Sequence, residues 1–319
     1  MSAGGRLVRT AAGAASGVTA AWAARLAYTA VGRRPPGGPT AWSRTNHRGE
    51  PVTLLEGPAV AAGAIAGALA HAGRVSMAGS PGWRAGTAMA VAGAGGAAFG
   101  AYDDLAGSAD RRGFRGHLGA LRHGELTTGA VKLGGIGITG ILSAALAGGA
   151  PADMVINAGL VAGGANLLNL FDLRPGRAIK VAAASGALVA AGGALSPGSA
   201  VPVAAGLASL PPLAAGLALL PEDLGERAML GDCGANALGA MLGAAAAAGL
   251  PRTARIALLG GIAGLTAASE KVSFTKVIER TPTLRWLDML GRRPVYQVPG
   301  MVIPAQRTPE GTGERTASP

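Results

Sequence analysis

The sequence predicts an all-α, polytopic integral membrane protein, and three observations carry that prediction. The 319 residues are 49% hydrophobic and only 14% charged, whereas an ordinary soluble domain carries roughly 25% charged residues. Apolar stretches of near-spanning length recur along the chain, and about 20 such residues cross the hydrocarbon core as a helix. Finally, the basic residues are distributed unevenly between alternate connections, a pattern that a soluble helical protein has no reason to adopt. A disordered chain would be polar instead.

About nine spanning segments follow in order. The first, 10–31, comes after Arg6 and Arg9 as a leader would. So many apolar stretches follow it that it reads as a spanning helix rather than a cleaved signal. The next, 57–72, is short, and 85–102 runs into the stretch Ala101-Tyr-Asp-Asp-Leu-Ala-Gly107. Segments 128–149 and 153–171 are nearly adjacent; the former holds Lys132 near its start and the latter runs into "NLLNLFD". Segments 178–195, 200–220, 233–250 and 254–268 complete the set, with "LGDCGAN" at the start of the eighth. Small residues four apart, such as Gly135 with Thr139 and Gly239 with Gly243, let helix backbones approach closely in lipid. Residues 1–290 therefore form one transmembrane domain. Residues 291–319, rich in Pro, Thr and Gly, are predicted to be a disordered cytoplasmic tail.

Sidedness follows from the charges. If the segments cross alternately, 21 of the 28 Lys and Arg fall on one side, counting Lys132 and Lys180 just inside their helices. That side is the cytoplasm by the positive-inside rule, with the N-terminus outside and the C-terminus cytoplasmic. The net charge of +11 thus belongs to membrane topology and not to nucleic acid. The single cysteine, Cys233, excludes an intrachain disulfide and reads as a small packing residue.

The unusual polar groups share the cytoplasmic side. Asp103 and Asp104 end segment three, Asn166, Asn169 and Asp172 step down the end of segment five at three-residue intervals, and Asp232 precedes segment eight. Adjacent carboxylates repel, so the pair needs water, a proton or a cation. Each signal alone also fits a solvated helix end, an interhelical polar contact or an N-cap. Together, oxygen ligands from three helix ends suit Mg²⁺, which is held by one or two carboxylates and substrate phosphates. The basic loop with Arg111, Arg112, Arg115, His117 and His123 fits positive-inside charge or a lipid phosphate. The stretch around Trp286 reads as an interfacial amphipathic helix or a mobile loop.

These residues resemble the motifs of the polyprenyl-phosphate N-acetylhexosamine-1-phosphate transferases, the membrane family that includes the phospho-N-acetylmuramoyl-pentapeptide transferase. Its Asp-Asp-x-x-Lys matches at Asp103 and Asp104, its Asn-x-x-Asn-x-x-Asp at Asn166, Asn169 and Asp172, and its Gly-Asp-x-Gly at Gly231, Asp232 and Gly234. Lys132 resembles the lysine opening the following helix. The resemblance implies transfer of a phospho-amino-sugar from a UDP-sugar to a polyprenyl phosphate at the cytoplasmic face of the cell membrane, with Mg²⁺ and release of UMP. It implies Asp103 at the acceptor phosphate, Asp232 as principal metal ligand with Asp104 assisting, and Lys132, Asn166, Asn169 and Asp172 on the substrate. The partners expected are the two substrates and the membrane, with a homodimer left open.

The chain departs from the family pattern in places. Gly107 stands where the motif lysine belongs, Pro175 replaces a second acid after Asp172, and the histidine-rich loop motif is missing. These departures mark a divergent member with another UDP-sugar, and they keep a non-catalytic lipid-phosphate-binding scaffold as the alternative. A transporter is disfavoured because the segments lack charged residues at mid-depth, Arg25 apart.

Overall fold

A computed structural model describes residues 3–77, 82–106, 127–194 and 201–294. The protein is mostly helical, with eleven α-helices among the described residues. They are α1 (Ala3–Arg33), α2 (Glu56–Met77), α3 (Trp83–Ala106), α4 (Thr128–Ala147), α5 (Pro151–Phe171) and α6 (Arg177–Ala194), followed by α7 (Val201–Leu224), α8 (Gly231–Gly249), α9 (Arg252–Ser269), α10 (Phe274–Arg280) and α11 (Pro282–Met289). Two of them, α4 and α5, are long and apolar enough to cross a membrane by length and composition. The basic loop from Arg111 to His123 lies outside the described residues, as does the tail from residue 295 onward.

Helix α8 is the centre of the bundle. Cys233, Ala235, Leu238, Ala240, Met241 and Ala245 are all buried, and α8 packs against α2, α3, α5 and α7. The small residues explain how four helices reach one axis. A Cβ on Gly96 of α3 would lie 2.8 Å from the Asn236 carbonyl oxygen, and one on Gly239 would lie 2.6 Å from the Gly164 carbonyl carbon. Backbone therefore touches backbone, which adds dispersion contacts along the length of each approach. We expect Gly239→Leu to push α5 away from α8 and lower the melting temperature of detergent-purified protein, corresponding to about 1–3 kcal/mol of overpacking. A bulky residue at Gly260, which has open space around it, should leave melting unchanged.

The connection between α1 and α2 holds structure that periodicity did not predict. A short 3₁₀ turn, Pro39–Trp42, leads into an antiparallel hairpin of β1 (Ser43–Thr45) and β2 (Pro51–Thr53). Asn46 closes its turn, accepting the backbone N–H groups of Arg48 and Glu50, each at 2.9 Å. Gly49 takes φ 82° there, a conformation that favours glycine. Two three-residue strands lie below the length at which alternation can be read. Met229 donates to the Thr53 carbonyl at 2.9 Å, so the hairpin is stitched to the turn that introduces α8.

The C-terminal helices fold back onto this same end. Arg177 grips Asp288 through both carboxylate oxygens, at 2.7 and 3.1 Å, and Arg292 adds a third bond at 2.8 Å. Arg293 pairs with Glu50 of the hairpin turn at 2.6 Å. Burial alone would raise the pKa of Asp288, but bonds and charge from Arg177 and Arg292 hold it below the usual carboxylate range. A carboxylate lowered in the folded state contributes stability above the unfolded pKa, near 4, and loses it as pH falls through the folded value. Asp288→Asn should therefore lower the melting temperature at pH 7, by about 3 kcal/mol of a broken buried pair. The difference from the unsubstituted protein should shrink toward zero well below pH 4 in a pH series of melting curves.

Candidate functional site

The loop-side ends of α3, α4, α5 and α8 meet at one end of the bundle. Lys132, one turn into α4, donates from Nζ to Asp103 Oδ2 at 2.6 Å and also to Asp232 Oδ2. The Asp103 and Asp232 carboxylates also lie within hydrogen-bonding reach of each other. Lys132 and Asp103 are mostly shielded and Asp232 is one quarter exposed. Two acids and one ammonium, drawn from three helices, thus form a compact charged group open on one side.

The adjacent aspartates, equivalent in sequence, have different partners. Asp104 turns away from Lys132 and accepts the backbone N–H of Asp232 at 3.0 Å and of Cys233 at 2.9 Å, one on each carboxylate oxygen. It caps the N-terminus of α8 from a neighbouring helix, where amides and the helix dipole favour an anion. Arg44, on the hairpin, holds the Asp104 carbonyl. Close approach makes this possible: a Cβ on Gly100 would overlap the Asp232 carbonyl group, and Gly231 turns the chain with φ 60°. Asp103 thus faces Asp232 across Lys132, whereas Asp104, expected to assist Asp232 on a cation, binds the amides that open α8. The reason is helical geometry, which points neighbouring side chains about 100° apart.

Asp172 lies one residue past α5, buried, with its carboxylate near the Gly231 amide. The third motif thereby reaches the same turn. Burial raises its pKa well above the usual range, and the carboxylates of Asp223, Asp232 and Asp104 push it further. Asn169 contributes its carbonyl to the Asp172 N–H at 3.1 Å, with its side chain half-buried. Asn166 points elsewhere: its amide donates to Thr266 of α9 at 3.4 Å.

Two cavities flank the group. One of about 560 Å³ is bounded by Lys132, Asn166 and Thr266 on its polar side and by Leu133, Leu259 and Ile262 on its apolar side. A smaller one, about 180 Å³, is bounded by His47, Asp172, Arg174, Asp223 and Glu226. Burial, reinforced by Arg174 and Arg292, lowers the pKa of His47 against the opposing pull of Glu226. Pro175 is buried on the wall of this cavity.

Several residues of this end escaped sequence reading. Glu56 is fully buried with no hydrogen-bond partner on either carboxylate oxygen, and Asp223 is buried with one oxygen unpartnered. Arg48 and Glu226 pair at 2.9 Å. The acids of "PEDLGE" in an otherwise weakly charged chain were the available signal for Asp223 and Glu226.

Among the described residues, no group of three or more His, Cys, Asp or Glu is arranged to hold a metal ion unaided. Asp103 and Asp232, already sharing one cationic group, supply the one or two carboxylates that Mg²⁺ uses when substrate phosphates complete its shell. The donor set fits that ion. No protein-family model matches the chain, and no curated protein matches it.

Proposed function

We propose that this chain is a polytopic membrane protein of about nine spanning helices that transfers a phospho-amino-sugar from a UDP-sugar to a polyprenyl phosphate at the cytoplasmic face, for cell-envelope glycan synthesis. One observation carries the reading: Asp103, Lys132 and Asp232, separated widely in sequence, form a single charged group beside a cavity that is polar at one wall and apolar at another. A phosphate on a hydrocarbon chain matches that combination, since the phosphate takes the ammonium and the chain takes the leucines and Ile262.

In this mechanism the acceptor phosphate oxygen attacks the β-phosphorus of the UDP-sugar. A new P–O bond forms, the bond from that phosphorus to the bridging oxygen breaks, and UMP departs with the electron pair. Asp103 and Asp232 would hold Mg²⁺, which when bound neutralises the diphosphate and stabilises charge on the departing UMP. Lys132 moves its ammonium from the carboxylates to the acceptor phosphate. Asp104 keeps Asp232 aimed by fixing the first turn of α8. Asn166 and Thr266 line the lipid side, and Asp172 with His47 and Arg174 lines the nucleotide side, with Asn169 behind Asp172 and Arg174 meeting a phosphate or ribose in place of the absent second acid.

The alternative, a non-catalytic polyprenyl-phosphate-binding or envelope-assembly scaffold, draws on the same ammonium closing the gap between the two carboxylates. The separating experiment supplies purified protein with a panel of radiolabelled UDP-amino sugars, polyprenyl phosphate and Mg²⁺. Lipid-linked label with stoichiometric UMP supports the transferase; lipid binding without UMP from any sugar supports the scaffold.

A further inference from the structure

On the other flank of the bundle, away from Lys132, a cavity of about 690 Å³ opens between the end of α1, the hairpin and Arg227. It shares no lining residue with the 560 Å³ cavity. Tyr28, Thr29, Arg33, Thr40 and Ser43 contribute its polar wall together with Arg227. The charges around it do not balance. Glu222 is shared by two guanidinium groups, Arg25 at 3.5 Å and Arg227 at 2.6 Å. Arg33 makes no ion pair among the described residues.

The outer face of α1 continues into this cavity. Val18, Trp22 and Leu26 are 61%, 64% and 63% exposed, and with Thr29 and Arg33 they follow the spacing of one helical face. An apolar stripe more than two turns long thus ends in a cationic, hydroxyl-lined recess. The geometry points to a binding site for an anionic glycerophospholipid: its phosphodiester sits between Arg33 and Arg227, with an acyl chain lying along Leu26, Trp22 and Val18. The charge matches, because the excess of cations suits a monoanion and leaves a zwitterionic headgroup with an unmatched ammonium. This inference rests on the membrane part of the reading above and not on catalysis.

The test uses full-length protein, delipidated in neutral detergent, with phosphatidylglycerol, phosphatidylcholine and soluble glycerol 3-phosphate as separate probes. Native mass spectrometry reads bound lipid, and melting curves read stabilisation. Phosphatidylglycerol should bind and stabilise, whereas the other two should not. Arg33→Gln with Arg227→Gln should weaken it about 30-fold, at about 1 kcal/mol for each arginine near a lipid surface. Arg280→Gln with Arg285→Gln, an equal charge change elsewhere, should not. Arg33→Gln alone removes no ion pair seen in the folded protein and serves if the double variant misfolds. Unchanged binding after loss of Arg33, or equal stabilisation by glycerol 3-phosphate, overturns the proposal. Neither result depends on UMP release, so the two readings fail separately.

Discussion

Asp232→Asn is expected to cut formation of lipid-linked product by roughly 10²–10³-fold while leaving the protein folded. The substitution keeps the size of the side chain and the Asp104 bonds to the α8 amides, which use backbone N–H groups and not the Asp232 carboxyl. What it removes is one of two charges that face Lys132. With only Asp103 left, a divalent ion loses a ligand and the developing charge on UMP loses part of its compensation. Losing one electrostatic contact of this kind costs roughly 10²–10³-fold in turnover, and single-turnover release of labelled UMP measures it directly. Melting temperature should stay within a few degrees. Retained turnover with bound Mg²⁺ would remove Asp232 from the chemistry, whereas absent turnover in the unsubstituted protein, with lipid still bound, would leave the scaffold reading in possession of the site.

Asp104→Ala tests the opposite kind of role. Its two oxygens satisfy the amides of Asp232 and Cys233, and removing them leaves two buried N–H groups without acceptors. Unsatisfied groups of this kind cost about 1–3 kcal/mol each, and loss of an N-cap alone costs about 1 kcal/mol. We therefore expect a marked fall in melting temperature together with lost turnover. Asp104→Asn, which keeps one accepting oxygen, should recover part of both. A ligand to the ion would behave differently, since asparagine there would restore stability and not turnover. Melting and UMP release, measured side by side on the two variants, distinguish positioning from coordination.

Much of the helical plan was legible because the chain alternates long apolar runs with short polar breaks. All nine predicted segments begin or end within a few residues of a helix terminus, and the short 57–72 stretch starts with α2 but stops before its end at Met77. Crossing of a membrane is a separate matter: among the described residues, on hydropathy, α4 and α5 alone stand out, because alanine and glycine build helices without making them strongly apolar. The site was legible in part. Asp103, Asp104, Lys132, Asp172 and Asp232 meet at one end of the bundle, as expected from the side to which spacing and charge bias assign them. The division of labour between Asp103 and Asp104 could not follow, because it depends on the rotation of α3 about its axis against α8. Glu56, Arg44 and the Arg177–Asp288 clasp were also out of reach, since each takes its meaning from a partner on a remote segment.

Because the central helices touch in large part through glycine and main chain, a displacement of one is passed directly to its neighbours. Fine adjustment to a ligand must then fall to the surrounding connections, the hairpin and the C-terminal clasp. Divergence within such an architecture is expected to accumulate around the rim, while the interior tolerates little beyond exchange of one small side chain for another.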